Sequence, residues 1–295
     1  MKIAVAAASG RLGHAVLREL LTRTEAQNVV AVARTPARVQ ISGIDVRRGD
    51  YASTDSMIAA LGGVDTVVLI SAPVGEGDRT LLHRNAINAA RRANVRKLVY
   101  TSVIGNGNER DTWFWDVQQI NRQTEDDLKT SGLEWVIVRN GLYLELDLRH
   151  VIDANGSGVY SNNARDGQCG YITIDELAVA IARVSAFDIH NGRTLNLVGE
   201  SMTQSALVAL ASDVFGLDLR YETISDEENI ARLMSDEKIA ARGRDVAQML
   251  AGCFQCIRNG AFDVPSDFEQ AAGRPVKATR QMMEQIRRTL GTARR

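Results

Sequence analysis

The chain has 295 residues, formal net charge −1, 45% hydrophobic residues and three cysteines. That length holds one large α/β domain with an elaborated end, or two modest ones; near-neutral charge argues against nucleic acid as a main partner, and no apolar run approaches the roughly 20 residues of a membrane span. An odd cysteine count argues against a disulfide framework and for a reducing, cytoplasmic setting.

The chain opens with an apolar run, Ile3 to Ala8, read as a strand rather than a secretory signal because a small-residue turn interrupts it early. The turn has the spacing Ala7-x-x-Gly10-x-x-Gly13, and an amphipathic helix begins near Arg11. Small residues here let backbone approach a pyrophosphate, and the helix N-terminus offers free N–H groups and the positive end of its dipole. Alanine stands where the dinucleotide fingerprint usually starts with glycine. The position of the motif, on the first strand–turn–helix of a long α/β pattern, gives it its weight.

The second strand, Val29 to Ala33, ends about twenty residues on, where an NAD-binding chain carries an acid for the ribose 2′-hydroxyl. Here the tip reads Arg34-Thr35-Pro36, with Arg38 beyond. Arginine pairs with the 2′-phosphate of NADP, so Arg34 is the expected selector for NADPH, with Thr35 and Arg38 as helpers; solvated charges at a strand-to-helix turn are the alternative. Arg11, inside the phosphate turn, is a further phosphate candidate.

The alternation continues. Ile44 to Asp50 reads as a short strand and Ser53 or Thr54 as the cap of a helix to Leu61. Val64 to Ile70 is a buried strand by its β-branched density, Leu81 to Ala93 a helix, Lys97 to Ser102 a strand, Asp116 to Thr130 a helix and Glu134 to Asn140 a sixth strand. Strands separated by helices imply a doubly wound parallel sheet of Rossmann type, with the ligand crevice beyond the carboxyl ends of the strands. Residues 1–150 are assigned to this domain and 151–295 to a smaller substrate-side region. There a helix is expected from Asp175 to Phe187, a strand from Thr194 to Val198 and a helix from Thr203 to Phe215, followed by charged, helix-rich sequence. Cys253 and Cys256 share one face of a helix-like stretch and are read as packing residues, since no second CxxC accompanies them; no metal is expected.

Several segments, in order, carry a resemblance to the atypical short-chain dehydrogenase/reductase superfamily, in its NmrA-like branch, and to the bacterial NADPH-dependent quinone oxidoreductases and triphenylmethane reductases within it. They include Ala7 to Gly13, Ala33 to Pro36, Arg48-Gly-Asp-Tyr51, Leu69 to Ala72, His83-Arg-Asn85, Val99 to Ser102 and Val138-Arg-Asn-Gly-Leu-Tyr143. The resemblance implies that the backbone of Ser9, Gly10, Arg11 and Leu12 holds the pyrophosphate and Arg34 the 2′-phosphate. Asp50 and Tyr51 would flank the adenine, and Ser71, Ala72 and Pro73 would line the ribose path. Tyr100, Thr101 and Ser102, with Asn140 to Tyr143, would sit near the nicotinamide. Conventional members carry Tyr-x-x-x-Lys, the tyrosine protonating substrate and the lysine holding the ribose; counted back from Glu125, those positions fall on Val117 and Asn121, which can do neither.

Reduction of a simple ketone creates an alkoxide, for which a positioned donor is worth about 10²–10⁴-fold. A quinone gives a delocalised anion that water can protonate, so a reductase for planar, conjugated electrophiles needs orientation rather than an acid. Trp113-Phe114-Trp115 is the candidate wall for such a substrate; a staple holding its loop, or part of a homodimer contact, is the alternative. Tyr143 is the best remaining hydroxyl, and Asn121 the residue at the lysine position; these two are the catalytic candidates. A non-catalytic NADP(H) redox-sensing regulatory protein is the competing reading, since it too would lack the Tyr–Lys pair.

Overall fold

The computed structural model describes residues 1–75 and 77–292. Its centre is a parallel sheet of order β3-β2-β1-β4-β5-β6-β9. The strands are β1 (Ile3–Ala6), β2 (Val29–Ala33), β3 (Asp45–Arg48), β4 (Thr66–Ile70), β5 (Lys97–Val103), β6 (Glu134–Asn140) and β9 (Arg193–Leu197). β1 and β2 are buried along their whole length and β4 along all but its last residue, as strands covered on both faces must be. The edge strand β3 instead reads Asp-Val-Arg-Arg and is at most half-buried.

On one face lie α2 (Thr54–Leu61), α3 (Arg79–Arg92) and α4 (Trp115–Lys129), packed over Met57, Leu61, Ile87, Leu98, Tyr100 and Leu128. On the other, α1 (Arg11–Leu20) packs on α6 (Ile174–Ala186), and α6 on α11 (Phe268–Ala272). The expected boundary at residue 150 therefore falls before two elements, α6 and β9, that complete the sheet and its second layer. β9 is the strand expected at Thr194 to Val198, and it pairs with β6 in the register Val138↔Leu195.

The remaining chain forms a second, smaller core. It contains α5 (Leu144–Asp153), β7 (Val159–Asn162), β8 (Gln168–Gly170), β10 (Ser201–Thr203), α7 (Gln204–Phe215) and β11 (Arg220–Thr223), with α8 (Asp226–Met234), α9 (Glu237–Ala240), α10 (Arg244–Arg258) and α12 (Thr279–Thr292). β8 pairs antiparallel with β10, and β7 parallel with β11. Gly141, Gly170 and Gly199 lock this core to the sheet: a Cβ at Gly170 would stand 2.5 Å from Gly199 O, and one at Gly199 2.1 Å from Tyr171 O. No helix among the described residues is long and apolar enough to cross a membrane.

Candidate active site

The loops after β1 to β4 meet at a cleft of about 500 Å³. Ala7, Ser9, Gly10, Arg34, Asp50, Tyr51, Ala72 and Pro73, all expected cofactor residues, line it together with Gly49, Gly77 and Leu82. It opens where the strand order reverses, between β1 and β4, the place where doubly wound sheets take their ligands.

Residue by residue, the turn from Ala7 to Gly13 is as tight as its small residues allow. Ala7 adopts φ +54, the left-handed conformation that glycine holds without strain, and its carbonyl accepts from Gly10 N at 3.0 Å. Gly13 is where α1 meets the strand: an added Cβ would lie 2.6 Å from Ala7 O and 2.9 Å from Ala8 Cα. Leu12 is buried, so only its backbone can face a ligand. Of the helices covering the sheet, α2, α3 and α6 carry side-chain caps, from Ser53, Asp78 and Thr173, while α4 starts after Phe114 without one. α1 begins at Gly10 with no side-chain cap and no acid in its first turn, leaving N–H groups and dipole for an anion. Arg11, the first residue of α1, lines an adjoining recess with His14, Arg18, Arg38 and Glu145.

Tyr51 is fixed as a wall: its hydroxyl donates to Ile70 O at 3.0 Å, and its carbonyl accepts from Asn85 Nδ2 at 3.0 Å. Ser71 N donates to Thr101 Oγ1 at 3.1 Å, tying the end of β4 to β5. Ser102 faces another network, donating to Glu125 Oε1 at 2.7 Å. Burial alone would raise the Glu125 carboxyl, but hydrogen bonds from Arg139 and the charges of Arg122 and Arg139 outweigh it and hold the group below the usual range. Asn140 is buried with no hydrogen bond to its Oδ1 among the described residues, while the hydroxyl of Tyr143, the residue before α5, is pushed up by burial against a compensating hydrogen bond with Asn140.

Asn121 sits in a polar cluster beneath the loop after β4. Its Oδ1 accepts from Tyr100 Oη at 2.9 Å and from Ser71 Oγ at 3.3 Å, and its Nδ2 donates to Val117 O at 2.8 Å. His83 and Arg79, both on α3, complete the cluster. His83 Nε2 accepts from Ala72 N at 2.9 Å, and Arg79 donates to Ala72 O at 2.9 Å and Ser71 Oγ at 2.8 Å. Arg79 escaped the sequence reading altogether. Its one signal is the spacing Arg79-x-x-x-His83, which places two polar side chains on one face of a helix whose other buried positions are apolar.

The tryptophan segment divides. Phe114 is buried, its ring edge-on to Phe262 at 5.7 Å. Trp113 packs against the cluster of Ile230, Leu233 and Ala251, and its backbone N–H donates to Gln255 Oε1 at 2.9 Å. Trp115 is half-buried with Arg110 over its ring. Cys256 lies 3.3 Å from Thr112 Oγ1 inside the same packing, and no cluster of His, Cys, Asp and Glu among the described residues could hold a metal.

Known proteins carry the same plan. The family described as NAD(P)H-binding matches residues 7–163. Quinone oxidoreductase 2 of Escherichia coli (strain K12) is 33% identical over 278 residues, 92% of this chain and 94% of that protein. An NmrA-like family domain-containing oxidoreductase of Aspergillus flavus is 28% identical over 77% of this chain and 76% of its own. Among solved structures, an NADPH-dependent quinone oxidoreductase of Escherichia coli complexed with NADPH superposes with a TM-score of 0.87 at 30% identity, covering 96% of this chain and 99% of that one. Triphenylmethane reductase of Citrobacter sp. superposes with a TM-score of 0.87 at 26% identity, covering 97% and 99%. With Gly10 at the uncapped start of α1 and the arginine at the tip of β2 lining one cleft, and Gly13 packed against the Ala7–Ala8 backbone behind it, the chain belongs to the NAD(P)H-binding oxidoreductases of the NmrA-like branch.

Proposed function

We propose that this chain is an NADPH-dependent reductase for quinone-like or other conjugated planar electrophiles, acting without a Tyr-x-x-x-Lys pair. Position 121 carries the reading. The Asn121 amide is engaged by Tyr100, Ser71 and the Val117 carbonyl, and Val117 itself brings no hydroxyl, so these two positions of α4 supply neither a proton nor a charge. NADPH, when bound, supplies a hydride. The chain's own residues do the rest by binding and orientation.

In this reading the backbone of Ala7, Ser9, Gly10, Arg11, Leu12 and Gly13 holds the pyrophosphate, and Arg34 the 2′-phosphate. Asp50 and Tyr51 flank the adenine, Ser71 to Pro73 border the ribose, and Thr101, Ser102 and Asn140 shape the nicotinamide end. Trp115 and Tyr143 are the aromatic surfaces assigned to a flat substrate, whereas Trp113 and Phe114 staple their segment to the second core. Tyr143, raised by burial, stays protonated near neutral pH and donates a hydrogen bond rather than a proton. An acceptor whose reduced form is a delocalised anion suits such a site; a simple ketone, which needs a positioned acid, does not.

The test follows NADPH absorbance with a benzoquinone, a naphthoquinone and an aliphatic ketone. We expect turnover above the uncatalysed rate with the quinones and none with the ketone. Retained NADPH binding with no turnover across the quinones would transfer the assignment to a redox-sensing regulatory protein.

A further inference from the structure

Arg79 is the least explained charge in the molecule. It is 6% exposed, and among the described residues none of its hydrogen bonds or ion pairs is to a carboxylate: its partners are Ala72 O, Ser71 Oγ and, at 3.5 Å, Asn121 Oδ1, while Nη1 has none. The neighbouring Asp78 carboxylate is turned to the backbone, accepting from Leu81 N at 3.1 Å to cap α3. Arg79 is also the first residue of α3, whose first turn carries no acid, where the helix dipole disfavours a cation. Burying an arginine on neutral partners at the positive end of a helix is costly to the fold, so stability does not account for it.

Its surroundings suggest what does. Gly77 and Leu82, on either side of it in sequence, and Ala72, to which it is bonded, all line the cofactor cleft. The guanidinium reaches Ser71 Oγ and Asn121 Oδ1, and Tyr100 Oη reaches the same two atoms at 3.4 and 2.9 Å. Two hydroxyls and a cation thus converge on position 121, where α4 carries an uncharged amide.

We infer that Arg79 supplies from α3 the fixed positive charge missing from position 121, and that its unpartnered Nη1 binds the ribose hydroxyls of the nicotinamide half of the cofactor. The inference rests on the NADPH reading above. Ser71 Oγ, accepting from Arg79 Nη2 and donating to Asn121 Oδ1, holds the guanidinium in place, and His83 fixes the loop that carries Ser71 through Ala72 N.

The experiment measures binding alone, by calorimetry on the full chain, with NADPH and with adenosine 2′,5′-bisphosphate as a probe of the adenine half. For Arg79→Met we expect NADPH affinity to fall about tenfold, the usual scale for a lost charge-assisted contact, with bisphosphate affinity unchanged. Asn121→Lys in the Arg79→Met background should recover most of the loss. Thermal unfolding of Arg79→Met without ligand should match or exceed wild type, because an unpaired buried charge has gone. Unchanged NADPH affinity, equal losses for both ligands, or no recovery by Asn121→Lys in a folded double variant would overturn the inference. Failure of the wild-type chain to bind NADPH would instead sink the cofactor reading itself. Should Arg79→Met unfold, Arg79→Lys, which keeps the charge but not the fork, must retain bisphosphate binding and lose part of the NADPH affinity; full NADPH affinity there would also overturn it.

Discussion

His83 shows how much one side chain can depend on partners distant in sequence. Thr124 Oγ1 donates to Ile120 O at 2.9 Å, so it accepts from His83 Nδ1, also at 2.9 Å; Nε2 is then free of a proton and accepts from Ala72 N. The ring is neutral, and burial, reinforced by the charge of Arg79, lowers its pKa to about 3. Protonation is easier in the unfolded chain, so the fold has its full stability above the unfolded value of 6.5 and loses it as pH falls from there toward about 3. At about pH 5 the loss attributable to His83 should reach about 1–2 kcal/mol, from the slope of roughly 1.4 kcal/mol per pH unit. Denaturant titrations of wild type and His83→Gln at neutral and mildly acidic pH check this, since glutamine can accept from Ala72 and donate to Thr124 without titrating. Equal acid sensitivity in the two proteins would mean that His83 does not carry the effect. At this scale the sequence was uneven evidence. The place of Arg34 at the cleft was legible because it follows from a fixed distance along the chain after the Ala7–Gly13 turn. Arg79 and His83 were not, because theirs comes from Ser71, Ala72, Asn121 and Thr124, which only folding brings to them.

Elements were legible in proportion to how locally they are determined. The buried strands β1, β2, β4, β5 and β6 stand out as apolar runs, and the helix expected over Asp116 to Thr130 is α4 within one residue at each end. β7, β8, β10 and β11 were not read, being three or four residues long and held by pairings such as Gln168↔Thr203 and Val159↔Arg220. Lys97, which opens β5, is fully buried, its Nζ donating to Val184 O and Phe187 O; no periodicity announces that. The tryptophan segment owes its position to another element, α10. A Cβ at Gly252 would lie 2.6 Å from Phe114 N and 2.8 Å from the Trp113 carbonyl carbon, both backbone atoms that cannot swing aside. Gly252→Val should therefore lower stability by about 1–3 kcal/mol through overpacking, seen as a lower urea midpoint. An unchanged midpoint would detach α10 from the Trp113–Phe114 backbone and reopen all three residues as a wall for a planar substrate.

In the whole molecule, the carboxyl ends of β1 to β4 converge on one cleft, while α6 and β9 return from beyond residue 150 to close the sheet. Sequence reasoning drew its boundary at residue 150 because the pairing of β9 with β6 spans more than fifty residues and nothing local announces it. A fold organised around a cleft should gain stability when the cleft is filled. Ligand at about 100 times its Kd contributes about 2.7 kcal/mol, and at roughly 2–4 °C per kcal/mol for chains of this order, NADPH should raise Tm by about 5–10 °C. NADH at the same concentration should give a smaller shift, because it leaves Arg34 without a 2′-phosphate. On the proposed role, Arg34→Ala should remove the contact that separates the two coenzymes, worth about 1.5–3 kcal/mol for a charge-assisted hydrogen bond. Its NADPH shift should fall to the level given by NADH, with the NADH shift itself nearly unmoved. Equal losses for both coenzymes would show that Arg34 supports the loop after β2 rather than choosing between them, and the selectivity would then have to come from Arg38 or Arg11 in the adjoining recess.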